Sequence, residues 1–108
     1  MDQSTALEAV QFFKDRLQER GVHVARLILF GSRAAATAAE DSDVDVVLVS
    51  DDFQGKSIFE RSRLAGPAEA ETIRRFQVPL DVVLMSPEEF ASERSIVAHA
   101  ARTGGMEQ

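Results

Sequence analysis

The sequence predicts an α/β fold, αβαβαβα, with a small mixed sheet flanked by helices. Three observations carry this. Three short apolar runs, 24–30, 43–49 and 80–85, are rich in valine, leucine and isoleucine. The segments between and around them show helical spacing or helix-start signals. Glycine, proline and acidic turn residues separate the two kinds of segment.

The elements follow in order. Thr5-Ala6-Leu7-Glu8 has the pattern of a capping box, and Ala6, Val10, Phe13 and Leu17 continue at helical spacing until Gly21. A strand over 24–30 ends abruptly in Gly31-Ser32, and the alanine-rich stretch that follows suits a short helix over 33–39. The second strand runs 43–49, and Asp51-Asp52-Phe53-Gln54-Gly55 reads as a polar loop. Residues 56–76 read as a helix with a break or kink at Gly66-Pro67, because an interior proline removes a backbone donor. The third strand is 80–85. Ser86-Pro87-Glu88-Glu89 then opens a last helix, with Ser as cap, Pro at the first position and Glu three residues on. That helix is expected to reach about Arg102 and to end at Gly104-Gly105.

Composition bounds the chemistry. At 108 residues, residues 1–108 form one domain with a single core, too small for a catalytic domain plus a substrate domain. The absence of cysteine excludes disulfides and thiolate metal sites. A net charge of −6 argues against nucleic acid held on a broad basic surface. No apolar stretch approaches membrane-spanning length and the start lacks a basic signal-peptide region, so a cytoplasmic protein is expected.

The most informative feature is a set of three aspartates. Asp43 and Asp45 alternate along a strand, so both carboxylates project to one face. Asp81 opens the third run. For these to share a site with Gly31-Ser32, strand one must run antiparallel to strand two. Strands two and three must be parallel, joined by a right-handed crossover. Crowded carboxylates repel one another, and a hard divalent cation such as Mg²⁺ removes that conflict while leaving room for phosphate oxygens. Two ions roughly 3.5–4 Å apart would serve the attacking and leaving oxygens of a phosphoryl displacement. Asp43 and Asp45 suit both ions, with Asp81 near the attacking group. Gly31 allows close backbone approach to a phosphate, Ser32 offers a hydroxyl and N–H groups, and Arg33 adds charge.

These residues resemble a known family. Leu29-Phe30-Gly31-Ser32-Arg33, ten residues from 33 to 42, then Asp43-Val44-Asp45, is similar to the G-S-x(about ten)-D-x-D signature of the polymerase β-like nucleotidyltransferases. Asp81, in Val78-Pro79-Leu80-Asp81-Val82-Val83, fits their third carboxylate. The resemblance covers nearly the whole chain, at the size of the minimal nucleotidyltransferases. It implies that Asp43, Asp45 and Asp81 are catalytic and bind two Mg²⁺ ions. It also implies that Gly31 and Ser32 hold a nucleoside triphosphate, most simply ATP. Many minimal members neutralise a helical HEPN-family toxin, in some cases by attaching AMP to a tyrosine of it, so such a toxin is the partner implied. Members often read Gly-Ser-Arg-Ala-Arg/Lys-Gly, whereas Ala35 and Ala36 stand at the last two positions here.

Other readings weigh less. An EF-hand starting at Asp41 would need Gly and Glu where Val46 and Asp52 stand. Neither His23 nor His99 is placed to activate Ser32, and both read as ordinary surface or half-buried residues. Arg61, Arg63, Arg74 and Arg75 read as solvated helix faces, and Phe12, Phe13, Phe30, Phe59, Phe76 and Phe90 mainly as core. The function expected is nucleotidyl transfer to a hydroxyl on a partner protein. The alternatives are a non-catalytic antitoxin, or a homodimeric enzyme acting on a small hydroxylated molecule such as an aminoglycoside.

Overall fold

The computed structural model describes residues 3–30, 44–92 and 106–107. Helix α1 (Gln3–Glu19) starts two residues before the expected Thr5 and buries Ala6, Ala9, Val10, Phe13 and Leu17 along one stripe. It stops at Gly21, whose φ of 83° is left-handed, and there the Val22 N–H closes onto the Leu17 carbonyl at 2.9 Å. Strand β1 (Arg26–Phe30) and strand β2 (Val44–Val49) follow. A 3₁₀ turn over Asp51–Phe53 leads to helix α2 (Ile58–Phe76), then strand β3 (Leu80–Met85), helix α3 (Pro87–Ser92) and strand β4 (Met106–Glu107).

The strands form one mixed sheet in the order β3-β2-β1-β4. β1 runs antiparallel to β2, and β2 parallel to β3 through α2, as the shared-site argument requires. Alternation assigns the strand residues to two faces. Leu27, Leu29, Val44, Val46, Leu48 and Leu84 turn toward α1 and α2, and pack with Phe13, Leu17, Ala65 and Ala68. Ile28, Val47, Val49 and Met85 turn the other way, where Phe90 of α3 covers them.

Several expectations are corrected. Residues 24 and 25 precede β1 rather than open it. The 51–55 loop is not wholly polar. Ser50 Oγ accepts the Asp52 N–H at 3.1 Å, and that turn drives Phe53 fully into the core. Helix α2 is a single helix with Pro67 inside it, unbroken at Gly66-Pro67. Proline clashes with the Cβ of the residue before it, and Gly66 has none. Burial of Ala65, Ala68 and Thr72 on the opposite side holds the helix through the lost hydrogen bond. Phe59 is not core but 76% exposed. The pairing of β4 with β1 was not expected at all. The 33–39 helix and the last helix beyond residue 92 lie outside the described residues, as does His99.

Of the two helix starts expected to be capped, the one at Ser86 forms, whereas Thr5 lies within α1, and a box at Ser57 was not expected. Ser57 and Glu60 form a reciprocal capping box at α2. Ser86 and Glu89 do the same at α3, with Ser86 N–H donating to Glu89 Oε1 at 2.8 Å and Ser86 Oγ accepting the Glu89 N–H at 3.2 Å.

Candidate active site at the start of β2 and β3

The parallel register pairs Asp45 directly with Asp81. Neighbouring strands lie about 4.8 Å apart, so two carboxylates leave adjacent backbone positions on the same sheet face. That face is the one shared with Val47 and Val83, away from α1 and α2. On the other side of Asp45 its antiparallel partner is Phe30, the last residue of β1. The chain therefore leaves β1 beside the carboxylate pair. Asp45 is half-buried and Asp81 exposed.

Asp43, Gly31, Ser32 and Arg33 lie outside the described residues. Among the described residues no three His, Cys, Asp or Glu side chains gather as a metal site. What the described residues provide is the centre of the expected constellation, two oxygen-donor side chains in register. That donor set suits a hard divalent ion such as Mg²⁺ and not a soft one.

A further carboxyl belongs to this end of the sheet. Glu69, half-buried on α2, has its pKa raised, first by burial and then by the charge of Asp81. Sequence reading missed it because Glu69 looks like one more polar position on an amphipathic helix. Only the packing of α2 along β3 brings it near Asp81.

The opposite end of the sheet is built differently. Arg61, expected on a solvated face, is largely covered and ties three elements together. Its guanidinium donates to the Leu84 carbonyl at 3.1 Å, to the Lys56 carbonyl at 3.0 Å and to Glu89 at 2.6 Å. His23, in contrast, is exposed as expected, with Nδ1 3.1 Å from Asp51.

Comparison with known proteins fixes the family. The family model described as "Nucleotidyltransferase domain" matches residues 10–102. The chain belongs to this family. A nucleotidyltransferase from Sulfolobus solfataricus shares the fold at a TM-score of 0.58 and 16% identity, over 95% of this chain and 85% of that one. A structure described as a minimal nucleotidyltransferase is similar over 98% of this chain and 95% of its own, with a TM-score of 0.62 and 20% identity. A toxin–antitoxin structure with AMP-PNP has a TM-score of 0.62 at 16% identity, over 99% of this chain and 72% of its own. No curated protein matches the sequence. At these identities the structures establish a common fold, a mixed sheet flanked by helices, and the family model establishes a nucleotidyltransferase domain.

Proposed function

We propose that this domain transfers a nucleoside monophosphate, AMP from ATP, to a hydroxyl on a partner protein, acting as the antitoxin of a toxin–antitoxin pair. The observation that carries the reading is the in-register pairing of Asp45 with Asp81 beside the end of β1, in a chain of the nucleotidyltransferase family. Folds of this shape occur in a toxin–antitoxin structure with AMP-PNP and in MntA–HpeT toxin–antitoxin structures. A helical toxin of the HEPN family is the partner we propose.

In this reading Asp43, Asp45 and Asp81 would hold Mg²⁺, two ions in the full site, which supply positive charge against the triphosphate. Gly31, Ser32 and Arg33 bind and orient the phosphates. Asp81, exposed on the edge strand, is the carboxylate open to an incoming acceptor. The acceptor oxygen bonds to the α-phosphorus, the bond to the bridging oxygen breaks, and pyrophosphate departs. Asp81 takes the hydroxyl proton. The 108 residues contain no tyrosine, so a tyrosine acceptor would lie outside this domain.

Mass spectrometry of the chain co-expressed with the protein of the adjoining gene tests this. An AMP-sized increase on the partner, absent with Asp45→Asn, is the expected result. Neutralisation without a mass change, equally good in the variant, would assign a non-catalytic antitoxin instead.

A further inference from the structure

Among the described residues every exposed large apolar side chain lies on one helix, α2: Ile58 at 59%, Phe59 at 76% and Ile73 at 38%. Their arrangement is ordered. With 3.6 residues per turn, Phe59, Arg63, Gly66, Ala70 and Ile73 fall within about 40° of one line along the helix. This line is opposite Ala68, which is buried against the sheet. Nothing lies within 4 Å of where a Cβ on Gly66 would sit, so the helix backbone is open there. The line is also symmetric, because Phe59 and Ile73 stand equally far on either side of Gly66.

We infer that this ridge is the contact surface for a second copy of the same chain. The two α2 helices cross antiparallel about a two-fold axis at Gly66. Such an axis makes an isologous interface, in which Phe59 with Ile73 and Gly66 with Gly66 stand at mirror positions, and other residues come within a turn of theirs on the same edge of the helix. Phe59, with Ile58 beside it, meets Ile73 of the second copy. Arg63 lies over the copy's Ala70, where the small side chain leaves room. Gly66 meets Gly66, which lets the backbones approach closely.

Charge supports the same pairing. Glu60 and Arg74 lie on the same edge of the ridge, and a two-fold of this kind sets like edges together. Glu60 therefore comes within two residues of register with the copy's Arg74, about 3 Å along the axis and inside the reach of an arginine, and the contact occurs twice. Neither Arg63 nor Arg74 has an ion-pair partner among the described residues. Glu60 engages the Ser57 N–H through Oε1. A parallel arrangement would instead stack Arg63 on Arg63. The 19-residue helix is about 28 Å long, and one helix face covers less than the ~800 Å² per partner of a standard interface. The dimer is therefore weak and concentration-dependent.

Sedimentation equilibrium of the full chain over a range of concentrations tests this, with Phe59→Ser and Ala70→Arg alongside. Ala70 is exposed, and arginine there keeps a good helix former while setting a bulky like charge against the copy's Arg63, so it loses the dimer without losing the fold. The expected result is a reversible wild-type dimer, with both variants monomeric at every concentration. Circular dichroism should be unchanged in both variants. A wild-type chain that stays monomeric throughout, or a dimer that survives both substitutions, would overturn the inference.

Discussion

The two ends of the parallel pair β2–β3 are opposites. Where the strands finish, hydrogen bonds and an ion pair tie the elements together. Ser50 is fully buried, and its N–H donates to the Met85 carbonyl at 3.0 Å. Ser86 closes a capping box with Glu89, and Arg61 fastens Leu84, Lys56 and Glu89 over the Phe53 ring. Where the strands begin, Asp45 and Asp81 stand side by side, and burial near Asp81 raises the pKa of Glu69. One end links opposite charges across α2 and α3, whereas the other brings carboxyls of like charge together, as the proposed function requires.

The largest test removes chemistry from the open end without touching the closed one. Asp81→Asn should abolish nucleotidyl transfer from labelled ATP. Because Asp81 is exposed, the variant's unfolding free energy from urea titration should change by no more than ~0.5 kcal/mol, upward if relief of repulsion dominates. Retained transfer would place the chemistry elsewhere.

At the closed end the order reverses. Phe53→Ala leaves a cavity under the 3₁₀ turn and should cost about 3–5 kcal/mol in denaturant unfolding. A loss below ~1 kcal/mol would mean that the turn collapses to fill the space. Arg61→Met keeps the apolar stem but strands the Leu84 carbonyl, which should cost about 1–3 kcal/mol. In both variants, nucleotide binding measured below the unfolding transition should persist.

The smallest effect sharpens the contrast within a single helix. Glu71 lies between Arg16 and Arg20 of α1, and their hydrogen bonds hold its pKa at about 2, against an ordinary 4.5. Its stabilising contribution is present above pH 4.5 and is lost as pH falls from there toward 2. Two residues earlier, Glu69 has the opposite sign. Its pKa lies above the ordinary 4.5, so the folded state becomes less favourable as pH rises through the raised value. Glu71→Gln should therefore lower Tm at neutral pH and Glu69→Gln raise it. The two differences from wild type should shrink as pH falls, the Glu69 difference disappearing first. Equal signs at neutral pH would break the contrast.

The sequence by itself determined β1, β2 and β3 to within two residues, the start of α3, and the family. Asp45-Val46-Val47-Leu48-Val49 and Asp81-Val82-Val83-Leu84-Met85 are short β-branched or apolar runs with no helical alternative of sufficient length. Ser57 and Glu60, like Ser86 and Glu89, are local caps whose bonds close within four residues. Even the strand directions followed from requiring the carboxylates to meet. Tertiary structure decided what depends on distant partners. Phe53 is buried and Phe59 exposed, though both are phenylalanines near the start of α2, because only one faces the sheet. Arg61 is a strap because β3 brings the Leu84 carbonyl to it. Pro67 is tolerated because packing on the far side of the helix outweighs one lost hydrogen bond. Glu69 is perturbed because α2 lies along β3, beside Asp81. Local physics is written in neighbouring residues, whereas burial and charge proximity exist only once the chain has folded back on itself.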